Sequence, residues 1–419
     1  MQHLTSEHTH GTHKHEVKSV EETTCCIVGG GPAGAILALL LARKGIPVTL
    51  LEAHMDFDRE FRGDTIHPST LNILNEIGLA DRLLQIPHTR LTRLCAQTAN
   101  GMVTLADLAR LHTRYPYIAM IPQVKFLEFI TAEAQRYPEF RLVMGAQVDE
   151  LIEEHGKVRG VRYRGHDGWH EVRAVLTVGT DGRFSRMRKL ARLEAIKTSP
   201  PMDVLWFRLS RKPTDGDETF GRILPRIVVI HLNRGDYWQM AYVIPKGHYQ
   251  EVRAAGLEQF RQTVAEVWPE LADRVNELQD WKQISVLSVE SSRLPRWYRP
   301  GLLLIGDAAH VMSPVGGVGI NYAIQDAVVT ANVLGGKLAY GIVQLDDLAT
   351  VQRLREWPTR LIQAYQGLLQ KNVFASVFNS DQPFTVSLKA KLLLRIPFIR
   401  DIPGRIIALG FRPVHLREP

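Results

Sequence analysis

Three glycines and one glutamate are the residues of this 419-residue chain whose spacing speaks most directly of chemistry. Gly29, Gly31 and Gly34 stand in the pattern G-x-G-x-x-G, and Glu52 follows eighteen residues after the last of them. A turn of this kind holds a dinucleotide through its backbone: Gly29 permits the tight turn, Gly31 lets a pyrophosphate approach the main chain, and Gly34 lets helix and strand pack closely. Free amides at the helix start then meet the phosphates. An acidic side chain at the end of the following strand accepts hydrogen bonds from the adenosine ribose. A second glycine-rich turn, Ser313-Pro314-Val315-Gly316-Gly317-Val318-Gly319, comes after the apolar run Gly301–Ile305 and the pair Gly306-Asp307, and offers another site for an anion or polar ring. Metal or disulfide chemistry has no comparable support. Cys25, Cys26 and Cys95 cannot form a disulfide framework, and two of them adjoin within an apolar run, so buried thiols in a reduced, cytoplasmic chain are expected, with no metal site.

The elements that must position these residues can be read around them. Thr23–Ala42 is a run of twenty uncharged residues, the length of a membrane-spanning helix. Gly29-Gly30-Gly31-Pro32 in its middle would break such a helix, so the run reads as a strand (Thr24–Val28), a turn, and a helix from Ala33 to Lys44. Gly45 caps that helix, and Pro47–Leu51 is the next strand. Helices are expected after Ser69 and near Pro122, and strands over 141–144, 147–152, 158–164 and 174–178. From about Asp203 to Glu290 the strands become longer and aromatic (Val204–Leu209, Ile227–His231, Tyr237–Val243), with a helical stretch over Gly256–Leu278.

The fold class expected is α/β: a discontinuous Rossmann-like domain (residues 23–200 and 291–345), an inserted mixed β-sheet domain for a substrate (201–290), and a C-terminal helical region (346–419). Residues 60–120 contribute to the substrate side, and the polar, His-rich segment 1–22 reads as a disordered tail. Hydrophobic residues at 45% and charged residues at 23% fit a folded soluble chain. The charge balance, 51 − 44 = +7, suits anionic ligands but forms no concentrated patch, so no nucleic acid is expected as a partner.

Together these motifs resemble the class A FAD-dependent monooxygenases, the family of p-hydroxybenzoate hydroxylase and the ubiquinone-biosynthesis hydroxylases. Three of its motifs stand in order: Gly29–Gly34 with Glu52, the Asp-Gly motif Gly179-Thr180-Asp181-Gly182 continuing to Arg188, and the Gly-Asp motif Gly306-Asp307-Ala308-Ala309-His310 continuing through Pro314, Gly316–Asn321 and Ile324–Ala327. The resemblance implies FAD as cofactor, with NADH or NADPH as a transient reductant that has no dinucleotide fold of its own. It places Gly29, Gly31, Ala33, Gly34 and Glu52 at the adenosine and pyrophosphate, Arg62 near the pyrophosphate, and Gln123 and Val148 at further FAD contacts. Asp307 is placed at the ribityl chain, Asp181 and Arg188 in a motif serving both FAD and the nicotinamide, and the backbone of Gly317, Val318, Gly319, Ile320 and Asn321 at the N1–C2=O end of the flavin ring. Ala33 and Val318 differ from the residues many members carry there.

The implied activity is hydroxylation of a small aromatic or phenol-like substrate, with O2 activated at the flavin C4a carbon. His67, His231, Tyr237, Trp238 and Tyr242 are candidates for the pocket, and no residue is assigned as catalytic. Other readings are a double-bond reductase, or a halogenase, whose W-x-W-x-I-P pattern is matched only incompletely by Trp238–Pro245. A non-enzymatic reading is a FAD-containing peripheral membrane protein, in which basic and apolar residues interleaved over 389–417 would rest on anionic lipid. The ordinary reading of that segment is a closing helix packed on the FAD domain. Oligomeric state leaves no trace in the sequence.

Overall fold

The uncharged run divides where its glycines require. In the computed structural model, which describes residues 16–58, 64–382, 384–385 and 396–417, a strand Val17–Val28 leads through the glycine turn into the helix Pro32–Ala42. Every residue of that helix after Pro32 is buried, and so is the whole next strand, Val48–Glu52. Residues with no path to water cannot carry unpaired charge, which accounts for a long stretch free of it.

These elements belong to an eight-stranded sheet. Its spine runs Tyr298–Arg299, Leu302–Leu304, Trp169–Gly179, Val17–Val28, Val48–Glu52, Phe140–Met144, and all of its neighbours pair in parallel except the first two. Parallel strands covered on both faces are apolar throughout, as Leu302-Leu303-Leu304 is. The strand Leu302–Leu304 sits beside Thr177–Gly179 although more than a hundred residues separate them, so the chain leaves this layer and returns. Lys157–Arg164 and Gln147–Glu154 attach antiparallel to one side of Trp169–Gly179.

Residues 17–22, expected in the tail, extend the first strand instead. They run beside Trp169–Arg173, and their side chains are mostly exposed. Backbone pairing with an eleven-residue neighbour recruits them, and no apolar burial accompanies it, so their polar composition hid the strand. Residues 1–15 lie outside the described part.

A second, seven-stranded sheet has the order Ser285–Leu287, Met202–Ser210, Tyr237–Pro245, Ile227–Asn233, Phe220–Leu224, Arg93–Thr98, Gly101–Asp107. Its last two strands come from the 60–120 region, so two separate chain segments build it. Alternation assigns its faces. Leu205, Phe207, Leu209, Trp238 and Met240 pack under the helix Leu257–Val267, while Val204, Trp206, Val228, Ile230, Ala241 and Val243 form the opposite face, against Val315 and residues 373–378. The expected helix over 256–278 is shorter than its pattern: Pro269 has no amide hydrogen to continue it, and 3₁₀ turns follow.

Beyond the dinucleotide domain a long helix, Leu345–Leu369, continues through one π-helical turn, Gln370–Phe374. The helix Pro397–Leu409 docks by Ala408, which is fully buried among Leu91, Ala106, Leu108, Ile118 and Met120. That is the closing-helix arrangement, seen for 396–417; residues 389–395 lie outside the described part. Among the described residues no helix is long and apolar enough to cross a membrane.

Candidate functional site: a glycine turn and the loops packed on it

The first strand ends at Gly29, whose φ of +110° lies where only glycine is comfortable. A Cβ at Gly29 would lie 2.7 Å from the Asp181 backbone, so the Asp-Gly motif rests directly on the first glycine. Gly34 is tighter still: a Cβ there would fall 2.0 Å from the Gly29 carbonyl oxygen and 2.7 Å from Thr180 Oγ1. Thr180 donates its hydroxyl to the carbonyls of Val28 (2.9 Å) and Gly29 (2.7 Å), tying two motifs that are about 150 residues apart into one turn. Gly31 differs. It is the N-cap of the helix, and a Cβ built on it meets nothing within 4 Å.

Glu52 closes the turn from the neighbouring strand. It is buried, and its two carboxylate oxygens accept from the amides of Gly30 (2.8 Å) and His54 (2.9 Å).

The Gly-Asp turn, Gly306–Ala308, approaches from the other side. A Cβ on Gly306 would meet those of Ala323 at 3.2 Å and Ala33 at 3.4 Å, which brings Ala33 and Asp307 to the same helix start. Arg188 links this turn to the Asp-Gly motif by donating to the carbonyls of Ala308 (3.1 Å) and Arg183 (2.9 Å). Asp181 is engaged within its own loop, accepting from Ser185 Oγ (2.6 Å) and the Met187 amide (2.8 Å), and burial raises its pKa above the usual carboxylate value.

The second glycine loop, Ser313–Gly319, opens the helix Gly319–Ala339. Gly316 and Gly317 both have positive φ, and a Cβ on Gly319 would meet nothing within 4 Å. Val318 is buried with Met312, Tyr322 and Ile362, and Ile320 is half-buried. Asn321 is buried and uses its side chain as a clamp: Oδ1 accepts from the His67 amide (3.0 Å) and Thr70 Oγ1 (2.7 Å). Thr65 Oγ1 donates to the Gly317 carbonyl (3.0 Å), so residues 65–70 are stitched to the loop.

A family model described as "FAD binding domain" matches residues 22–343. The chain belongs to the FAD binding domain family. Among curated proteins, 6-methylpretetramide 4-monooxygenase of Streptomyces rimosus is 35% identical over 318 residues, covering 74% of this chain and 75% of its own length. Among solved structures, Pseudomonas aeruginosa PqsL in complex with 2-aminobenzoylacetate shares the fold with a TM-score of 0.74 at 20% identity, covering 86% of this chain and 100% of PqsL. The flavin-dependent brominase Bmp2 has a TM-score of 0.73 at 16% identity over 92% and 93% of the two chains. This FAD-binding chain is a flavoprotein oxidoreductase of the monooxygenase type, related to aromatic monooxygenases, and nicotinamide reductants are typical of its relatives.

The residues present fit FAD. Both open glycines, Gly31 and Gly319, stand at the starts of helices of eleven residues or more, leaving room beside positive helix ends for a pyrophosphate and a ring carbonyl. Of the other expected contacts, Val148 is buried in the strand Gln147–Glu154, two residues beyond Ala146, whose amide binds the Glu52 carbonyl. Gln123 begins the helix Gln123–Ala134, its amide held by Asp64 (3.0 Å), which also pairs with Arg234 of the second sheet (2.9 Å). Arg62 lies outside the described residues.

The pocket candidates separate by sheet face. His231, Trp238 and Tyr242 lie on the helix-covered face, His231 stacking on Trp238 at 4.5 Å, away from the second glycine loop. Their aromatic character serves a core. Tyr237 sits half-buried under the Arg208 guanidinium. His67 alone of the five touches the loop. Cys25 and Cys26 are fully buried, and burial pushes the Cys25 thiol up to about 12. Among the described residues no cluster of three or more His, Cys, Asp or Glu could hold a metal ion.

Asp326 stands within the Gly-Asp motif, which gave it no role of its own, and the structure shows what it holds. Fully buried, it accepts from His310 Nε2 (2.6 Å), Arg355 Nε (2.7 Å) and the Gly306 amide (3.0 Å), so it anchors the Gly-Asp turn from behind. Burial opposes its charge, but His310 and Arg355 outweigh that and hold its pKa below the ordinary value. Arg355 did leave a signal: it falls in helical register with Leu348, Val351, Gln352, Thr359 and Ile362, on the buried face.

Proposed function

We propose that the protein uses NAD(P)H and O2 to hydroxylate an electron-rich, phenol-like aromatic compound, in the manner of its 35% identical relative, 6-methylpretetramide 4-monooxygenase. The observation that carries this reading is the facing of two surfaces. The apolar sheet face bearing Val204, Trp206, Val228 and Ile230 packs with Val315 of the second glycine loop in one apolar cluster, so an aromatic ring bound beside that loop would meet apolar side chains rather than water.

When bound, FAD supplies electron transfer from the reductant to O2 and delivery of one oxygen atom to the ring. The chain's own part is positional. Amides at Gly31 and the turn after it receive the pyrophosphate, Glu52 the adenosine ribose, and Asp307 the ribityl chain. The positive end of the helix Gly319–Ala339 would favour negative charge on a ring held by the backbone of Gly317–Asn321. Arg188 and Asp326 hold the turns that carry these groups.

A screen of polycyclic phenols that follows NAD(P)H oxidation, O2 uptake and product mass tests the proposal. Products heavier by one oxygen atom, labelled from ¹⁸O2, are expected. Halogenated or reduced products, formed without oxygen incorporation, would replace hydroxylation by one of the other reactions this fold carries.

A further inference from the structure

His67 lies against the second glycine loop, fully buried, with half of its hydrogen-bonding capacity unused. Its Nδ1 is 2.7 Å from the Ile407 carbonyl oxygen. A carbonyl only accepts, so Nδ1 carries the proton and Nε2 is left as a bare lone pair. Among the described residues nothing donates to that lone pair. The main chain carrying the ring is fixed to the loop: the His67 amide is held by Asn321, and Thr65 and Thr70 are tied to the same loop. A Cβ placed on Gly317 would lie 3.5 Å from Nε2, so the unused acceptor borders the loop at a residue with no side chain to block it. Burial holds the ring's pKa down to about 4, which keeps it a neutral acceptor.

A buried acceptor without a donor is costly, and a stable fold retains one where a ligand completes it. We propose that His67 Nε2 is a hydroxyl-recognition subsite, accepting a hydrogen bond from an O–H group on the aromatic ligand held at the second glycine loop, and that Ile407 of the C-terminal helix keeps the ring in the accepting tautomer. The inference rests on the aromatic-substrate reading given under Proposed function. No bond is made or broken: the proton stays on the ligand oxygen, and the contact orients the ring and raises its electron density.

The test uses the FAD-loaded enzyme without reductant. It compares the binding of 1-naphthol with that of 1-methylnaphthalene, a pair of similar shape differing in the O–H, through changes in flavin fluorescence. The wild type is expected to prefer the naphthol by about 10- to 100-fold, the discrimination of a site whose acceptor is otherwise left unpaired. In His67→Leu the preference should fall to about threefold or less. His67→Gln, whose carbonyl reaches the Nε2 position, should keep most of it. His67→Asn, which can still bond Ile407 but offers no acceptor at Nε2, should lose it, and this variant serves where the leucine chain fails to fold. Retention of the full preference in His67→Leu or His67→Asn would overturn the subsite alone. The subsite also fails if these variants alter flavin affinity or absorbance without ligand while the preference stays, since the donor would then be the flavin. A wild type that binds neither compound would overturn the aromatic-substrate reading and the subsite with it.

Discussion

The same chemical change, glycine to alanine, should have opposite consequences at two positions three residues apart. At Gly34 the new methyl group would sit 2.0 Å from the Gly29 carbonyl oxygen. Comfortable contacts lie near ~3.5 Å, so helix and turn must part by on the order of 1 Å or more. Overpacking of that kind costs about 2–3 kcal/mol, which for a chain of this length is a fall in melting temperature of about 2–3 °C. At Gly31 the methyl group meets no protein atom within 4 Å, and the residue's φ of −70° suits alanine. Gly31→Ala should therefore melt close to wild type, yet it fills the approach to the helix amides and should weaken FAD by about tenfold or more. Gly31→Glu, which adds charge as well as bulk, should abolish FAD binding. Differential scanning fluorimetry of the apoproteins and flavin titration of each variant read the two effects separately. Wild-type FAD affinity in Gly31→Ala, or wild-type melting in Gly34→Ala, would refute the assignment of close packing to one glycine and ligand approach to the other.

Three further outcomes are expected. Asp326→Ala leaves the buried guanidinium of Arg355 uncompensated and should cost about 3–5 kcal/mol in urea unfolding. Thr180→Val removes a buried donor from two carbonyls and should cost about 1–2 kcal/mol, with a loss of FAD affinity that follows the loosened turn. His67 and His231 are both held near pKa 4 against an ordinary 6.5 by burial, so the unfolded chain takes up protons that the folded one refuses. Their contribution is complete above pH 6.5 and is lost as pH falls toward 4, by up to about 3 kcal/mol for each residue. Urea midpoints at pH 7.5 and 4.5 measure the loss, and His231→Gln should reduce it; a flat profile would contradict the burial of both rings.

The strand–turn–helix at Gly29–Gly34 was legible because backbone geometry there demands particular residue types: no other residue fits a Cβ 2.0 Å from a carbonyl oxygen. The return of the chain at Leu302–Leu304 was legible as a short, wholly apolar strand before a glycine. What composition could not reveal was direction. His231, Trp238 and Tyr242 look like pocket residues in the sequence, but alternation along their strands is compatible with either face until the helix Leu257–Val267 covers one of them. Residues 17–22 were missed for a related reason, since a strand recruited by its neighbour's backbone needs no apolar pattern. Arg355 was overlooked because its partner Asp326, which His310 also holds, lies 29 residues away in the chain and meets it only in the fold.

The hydrogen bond between His67 and Ile407 spans 340 residues and ends twelve positions before Pro419. During synthesis at about 5–20 residues per second, the first glycine turn is made early, while the carbonyl that orients His67 emerges from the ribosome long afterwards. The order of assembly is thereby set: the carbonyl that fixes the tautomer of His67 arrives after both glycine turns have been made, so the imidazole is the last part of this region to acquire its fixed form.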